Sequence, residues 1–305
     1  MAFKRFLGAR GLFTLQSQGK YATSPHYTIP GHIPRPFYFK TKGKGEYPST
    51  FNGEILKYSE KDIERMRKAC RIAAQALDVG LAQAKQGSTT ESIDKAVHEF
   101  IVSQNAYPSG VYYMGFPKSL CTSVNEVVCH GIPNSRPLES GDIINLDVTA
   151  YIDGFFGDNS DMALIGQEHP KAVLKLVEVT REAVWEAIRI CKPGNNVRLI
   201  GKTIEEYVRG FGFGVCKEFI GHGIGSGMHM PPPIVHNEND VQAVMEPGMV
   251  FTIEPIVMEN PKYDLAIWDD GWTIVDVTGG LSAQYEHTVL ITTEGVEVLT
   301  DRTKF

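Results

Sequence analysis

The sequence predicts an α+β fold made of two duplicated halves, with helices covering one face of a curved antiparallel sheet. Three observations carry this reading. One pattern of segments recurs at a single fixed offset. Helical and strand-like stretches follow in the order helix, helix, strands, and then again helix, helix, strands. An Asp-Gly pair, a strong hairpin signal, separates two strand-like runs.

The offset is 107 positions. Leu138–Asp147 reads as a turn and then a strand ending in a carboxylate, and Met245–Glu254 has the same form. The same offset maps Gly87 onto Gly194, Ile93 onto Ile200, Lys95 onto Lys202, Glu99 onto Glu206 and Phe100 onto Tyr207. A solenoid would repeat every 20–50 residues or so. One long unit seen twice points to duplicated halves of a single domain, against chance matching of common strand patterns.

The helices follow from spacing. Ser59-Glu60-Lys61-Asp62 resembles a capping box with Asp in the usual Glu position. Ile63, Met66, Cys70, Ala73, Leu77, Leu81 and Ala84 then recur on one helical face up to Gly87. A second helix is expected over about Glu91 to Gln104. Its longer counterpart runs from about Pro170 to Cys191 and stops at Pro193-Gly194, and a shorter one covers about Val197 to Arg209. Strands are expected in 120–165 and 215–290.

Composition bounds the class. The chain has 305 residues, 42% hydrophobic and 22% charged, as in an ordinary globular protein. No apolar run approaches the roughly 18 residues needed to span a bilayer. A net charge of −6 gives no nucleic-acid footprint for the whole chain. Five cysteines without a CxxC fit reduced thiols in an intracellular setting.

Charge is unevenly spread. Residues 1–45 hold eight Lys or Arg and no acid, which leaves the remainder at −14. The opening mixes Phe3, Phe6, Leu7, Leu12 and Phe13 with Lys4, Arg5 and Arg10. That is the signature of an organelle transit peptide, expected over 1–20; a disordered basic tail is the plainer alternative. The mitochondrial matrix is the expected address, with plastid or cytoplasm as alternatives. Residues 21–50, rich in Pro and Gly, are expected as an extended arm lying on the domain and not as a helix. The domain itself is expected over 51–305.

Chemistry concentrates in the last half. Asp147, Asp158, His222, Glu254 and Glu286 are four carboxylates and one imidazole. Such a set suits a pair of divalent cations that turn water into a nucleophile. Ile143 to Ala150 and Phe155 to Ile165 flank Tyr151-Ile152-Asp153-Gly154. A two-residue Asp153-Gly154 loop sets Asp158 opposite Thr149 and Asp147 opposite Ser160. Both aspartates then share a sheet face as diagonal neighbours. Like charges so placed repel without a cation between them. Glu254 and Glu286 sit in β-branched runs, where a buried carboxylate needs a partner; a salt bridge could supply one. His222 lies among small neighbours in Gly221-His222-Gly223-Ile224-Gly225. His130, after Val127-Val128-Cys129, and His229 are further candidates; a lone histidine is more often structural.

Four segments carry a resemblance. They are Phe116-Pro117-Lys118-Ser119-Leu120-Cys121-Thr122-Ser123-Val124-Asn125-Glu126-Val127-Val128-Cys129-His130-Gly131-Ile132-Pro133, Gly221-His222-Gly223-Ile224-Gly225, Phe251-Thr252-Ile253-Glu254-Pro255 and Ser282-Ala283-Gln284-Tyr285-Glu286-His287-Thr288. Over about 55–305 the chain resembles the type I methionine aminopeptidases, an organellar form above all. The resemblance implies the pita-bread fold, whose pseudo-twofold halves agree with the repeat. It makes Asp147, Asp158, His222, Glu254 and Glu286 the ligands of two divalent metal ions, with Asp158 and Glu286 bridging. Cobalt, manganese, iron and zinc all suit such O/N donors. It makes His130 and His229 substrate contacts, with Glu254 also carrying a proton, and lines a methionine pocket with Tyr113, Phe116, Cys121, Met228 and Trp272. Met228 stands where the family usually has Phe, Asn159 follows Asp158 in place of Thr, Met230-Pro231-Pro232-Pro233 is proline-rich, and Asn237 replaces Tyr or His.

The implied activity is removal of the N-terminal methionine from nascent or imported proteins, favouring small second residues. Protein N termini are the expected partners, with no nucleic acid and no membrane. Association with the ribosome stays open, and a monomer is expected. An Xaa-Pro aminopeptidase or dipeptidase of the same fold is the nearer alternative, and a non-catalytic pita-bread binding protein the other.

Overall fold

In the computed structural model the described residues are 14–16, 21–44 and 53–305. Four helices and one large sheet set the frame. Helices α1 (Glu60–Gln83), α2 (Thr90–Ser103), α3 (Lys171–Arg189) and α4 (Arg198–Arg209) appear within a residue or two of the expected bounds, except that α1 ends short of Gly87. The α1 start is a variant of the expected cap. Ser59 Oγ accepts from the Asp62 amide and also donates to Asp62 Oδ2 at 2.7 Å. The shorter Asp side chain takes the hydroxyl proton, where a Glu would reach the backbone.

The sheet strands are β1 (Tyr107–Pro108), β2 (Cys121–Val124), β3 (Ile143–Ile152), β4 (Phe155–Leu164), β5 (Gly221–Gly223), β6 (Met230–Ile234), β7 (Val250–Ile253), β8 (Glu286–Ile291) and β9 (Val296–Val298). Their order is β1-β3-β4-β8-β7-β5-β6, with β2 also on β3 and β9 also on β8. Every pairing in it is antiparallel. The halves meet at β4 and β8, where Glu286 pairs with Ser160.

Each half packs its own helices on its own strands. Ala73, Leu77, Ile93 and Val97 of α1 and α2 meet Leu146, Val148 and Ala150 of β3. Val184, Ile188, Ile200 and Ile204 of α3 and α4 meet Phe251, Ile253 and Val289 of β7 and β8. Burying each such Leu, Ile or Val stabilises by about 1.5–3 kcal/mol before entropy is counted. Gly157 lets α1 lie directly on β4. A Cβ there would stand 2.4 Å from the Cys70 amide nitrogen, so any side chain would lift the helix off the strand that bears Asp158.

The hairpin register is as read from Asp153-Gly154: Thr149 pairs with Asp158 and Asp147 with Ser160. Residues 21–44 run without long regular structure. A short 3-10 turn, Phe37–Phe39, departs from the extended reading. It follows Pro36, whose fixed φ and missing donor suit the entry to a turn. Ile33 and Tyr38 in this stretch are buried. The expected leader, 1–20, lies outside the described residues except for Thr14–Gln16, which pairs in parallel with Ala266–Trp268. Among the described residues no helix is long and apolar enough to cross a membrane.

Candidate active site

Strand geometry delivers the five metal-ligand candidates to one place, at the seam between the halves. Asp147 and Asp158 share a face of the β3–β4 hairpin, near enough that the charge of Asp158 adds to burial in raising the Asp147 pKa. Ile253 and His287 pair across β7 and β8, so Glu254 and Glu286 are the next residues on the two strands. Asp158, His222 and Glu286 are buried, and each offers a donor atom within 4.8 Å of the others. His222 Nε2 lies 3.4 Å from Glu254 Oε1 and 4.0 Å from Asp158 Oδ2.

Electrostatics say what this cluster lacks. Burial pushes the pKa of all four carboxyls above the ordinary range, and like charge adds to this at Asp147, Glu254 and Glu286. Among the described residues no lysine or arginine forms an ion pair with any of them. Burial also lowers the His222 pKa to about 4, so its ring is neutral and offers a lone pair. Its Nδ1 stands 3.2 Å from the Gly223 carbonyl, which leaves Nε2 to the carboxylates. A neutral imidazole beside acids that cannot all be charged alone is a donor set fitted to divalent cations.

Three threonines, each two residues from a candidate ligand, and one histidine support the cluster. Thr149 Oγ1 donates to Asp158 Oδ1 at 2.7 Å. Thr252 Oγ1 donates to Glu254 Oε1 at 2.7 Å and accepts from the His222 amide at 3.0 Å. Thr288 Oγ1 donates to the Asp158 carbonyl at 2.7 Å. His236 Nε2 accepts from the Glu254 amide at 3.2 Å. The sequence reading assigns none of these four a role, although it sets Thr149 opposite Asp158. A period-of-two search outward from each acid would have found the threonines, because such neighbours share a face.

One cleft joins the acids to the substrate candidates. It is lined by Tyr113, Phe116, Cys121, His130, Met228, His229 and Trp272, together with Asp147 and Asp158. Phe116 and Trp272 meet edge to face at 5.1 Å, and Trp272 also meets the His130 ring at 6.0 Å. The His229 ring meets the His222 ring edge-on at 4.2 Å, and its Nδ1 is 2.5 Å from the Tyr113 hydroxyl. Burial holds His130 down to about 4 and His229 well below its usual range, so both rings are neutral. His130 has φ +55°, a strained setting that recurs at Tyr112 and Met114 near the same cleft. The proline-rich β6 leaves His229 inside the cleft.

Comparison with known proteins agrees with this geometry. Residues 64–293 match metallopeptidase family M24. Methionine aminopeptidase 1D, mitochondrial, of Danio rerio is 48% identical over 276 residues, covering 90% of this chain and 80% of its own length. Methionine aminopeptidase 1D, chloroplastic/mitochondrial, of Arabidopsis thaliana is 45% identical, covering 91% of this chain and 77% of its own. The crystal structure of methionine aminopeptidase from Rickettsia prowazekii superposes with a TM-score of 0.78 at 40% identity, covering 81% of this chain and all of that one. The chain belongs to metallopeptidase family M24, and within it to the methionine aminopeptidases.

Proposed function

We propose that the protein removes the N-terminal methionine from protein chains as a metal-dependent exopeptidase. The observation that carries this reading is the shared cleft. Asp147 and Asp158 open onto the same space as Phe116, Cys121, Met228 and Trp272. Acids that need cations thus stand beside an apolar slot with two sulfur-bearing walls, which suits a thioether side chain.

Asp147, Asp158, His222, Glu254 and Glu286 would hold two divalent ions. When bound, such ions polarise a carbonyl and bring the pKa of water toward neutrality. The chain's own groups do the rest. Phe116 and Trp272 close on the methionine side chain and exclude water. His229, kept neutral and fixed through Nδ1 by Tyr113, donates from Nε2 to the scissile carbonyl as negative charge grows there. His130 contacts the substrate from the opposite wall, beside Trp272. Glu254, with Oε1 tied to Thr252, would take a proton at Oε2 from the water that adds to the scissile carbonyl and pass it to the leaving amine as the C–N bond breaks. Crowding beyond the slot favours small second residues.

Relatives named mitochondrial or chloroplastic support an organellar setting, and the basic, acid-free start supports the mitochondrial matrix and nascent or imported proteins as substrates. The test is hydrolysis of Met-Xaa-Ser peptides with Xaa from Gly to Trp, alongside Xaa-Pro peptides, with manganese, cobalt, iron or zinc added to chelator-treated protein. Release of methionine only with metal, and fastest for Gly, Ala and Ser, is expected. Preference for Xaa-Pro substrates would overturn the reading.

A further inference from the structure

The segment before the domain does more than lie on it. Gly43 has φ +74°, and a Cβ built on it would stand 2.2 Å from both the Gly115 amide nitrogen and the Tyr112 carbonyl oxygen. Backbone therefore lies directly on backbone, against the turn that presents Tyr113 and Phe116 to the cleft. That turn carries two non-glycine residues in the left-handed region, Tyr112 at φ +65° and Met114 at φ +48°. Such conformations persist only where surroundings over-determine them.

Other groups of the segment reach the same turn. The Tyr38 ring meets the Tyr113 ring edge to face at 5.1 Å, while its hydroxyl donates to the Ser109 carbonyl at 2.6 Å. His26 Nε2 is 2.6 Å from the Tyr112 hydroxyl. Further along, the segment pins Lys118 and Ser119, which lead into Cys121. Lys118 is fully buried, with Nζ 2.6 Å from Glu91 Oε1, 3.1 Å from Ser24 Oγ and 5.3 Å from the Tyr27 ring centre. His98 links the Thr28 carbonyl to Ser119 Oγ.

We infer that residues 24–43 are a positioning element of the substrate pocket, holding the 110–121 loop so that Tyr113 and Phe116 face the cleft. The inference rests on the proposed reading of that cleft as a methionine pocket. Tyr113 carries the effect further, because its hydroxyl holds His229 Nδ1. Residues 24–43 are absent from the lining of the cleft.

Two glycines of the same segment make the test. Gly43→Ala drives a methyl group into the turn, whereas Gly31→Ala meets nothing within 4 Å. With full metal content, Gly43→Ala should lower kcat/KM on Met-Ala-Ser about 10- to 100-fold, raising KM as Phe116 shifts and lowering kcat as Tyr113 loosens His229, and Gly31→Ala should match the wild type. In metal-free protein, amide hydrogen exchange over 110–119 should quicken for Gly43→Ala alone. Should Gly43→Ala fail to fold, Tyr38→Ala should raise KM in its place, and Tyr38→Phe, which keeps the ring contact and loses the Ser109 bond, should raise it less. Equal KM and equal exchange in all variants would overturn the inference. Wild-type protein that releases no methionine would instead overturn the reading of the pocket.

Discussion

The two halves share a frame almost bond for bond and differ where the chemistry is. Gly87 and Gly194 adopt φ +86° and +88°, and their amides donate to Leu138 and Met245, themselves 107 positions apart. Isolated bridges join Thr89 to Pro137 and, at the same offset, Asn196 to Val244. Gly141 and Gly248 donate to Ile165 and Ile291, each at 2.8 Å. Even the exposed pairs repeat, Lys95–Glu99 at 4.0 Å and Lys202–Glu206 at 3.9 Å. The connections do not repeat. In the first half β3 returns as β4 through a two-residue loop. In the second, residues 254–285 intervene between β7 and β8 and carry Trp272. The imidazole His222 also comes from the second half alone. Duplication accounts for the frame and for the matched carboxylates Asp147 and Glu254 on it, whereas His222 and Trp272 come from segments of the second half that the first does not repeat.

The seam is where breaking the comparison costs most. Asp158 belongs to one half and Glu286 to the other, in strands that pair directly. Asp158→Asn or Glu286→Gln should abolish turnover while circular dichroism and melting stay close to the wild type. Removing like charge relieves repulsion in the metal-free cluster, so these variants should not be less stable. Near-normal rates with full metal content would sink the ligand assignment. Next comes His229, which only the second half provides. His229→Ala should lower kcat roughly 10²–10³-fold with metal still bound, if the ring stabilises the oxyanion. An unchanged kcat would remove it from the reaction.

A smaller effect sharpens the frame itself. Asp142 in the first half corresponds to Met249 in the second, at the shared offset. Met249 is buried in an apolar cluster. Asp142 is also buried, but accepts from Arg136 Nη1 at 2.7 Å and from Asn125 Nδ2 at 2.7 Å. Burial alone would raise its pKa, yet Arg136, the Glu139 amide and Asn125 outweigh that and hold it below the usual range. A depressed folded pKa stabilises above the unfolded value and is lost as pH falls through the folded one. Asp142→Asn should therefore cost about 1–3 kcal/mol at pH 7. Urea midpoints of variant and wild type should converge as the pH falls below the ordinary carboxylate range; a gap that does not narrow would refute the charge argument.

Much of this was legible before any coordinates. Asp153-Gly154 gave the hairpin register to the residue, because a two-residue loop leaves no slack between strands that alternate faces. The offset of 107 paired helices and strands alike. What stayed hidden is what depends on distant backbone. Gly43 reads as one more glycine in a Pro- and Gly-rich stretch until the Tyr112–Gly115 turn is seen against it. His236 lies 18 residues before Glu254, beyond the end of β6, and only the fold brings its ring to the Glu254 amide. The short turn at Phe37–Phe39 was lost to the general expectation that proline means extended chain.

The smallest expected effect on turnover comes from removing residues 1–20. Every residue proposed for catalysis or the pocket lies at or beyond Tyr113, and the segment that positions the pocket begins at Ser24. The deletion does take away Thr14–Gln16 and its parallel pairing with Ala266–Trp268, in the second half's long insertion. That strand is three residues long and its neighbour keeps a second partner in Ile274–Asp276, so the insertion that bears Trp272 retains its antiparallel support. Met-peptide kcat/KM should stay within about threefold of the full chain, as for most changes that leave core packing intact. The address should change instead. Full-length protein tagged at its C terminus should enter mitochondria, whereas the shortened chain should remain in the cytosol. A fusion of residues 1–20 to a fluorescent reporter separates the two effects, since it carries no part of the domain. A reporter that stays cytosolic would refute the targeting role and leave the enzyme reading as it stands.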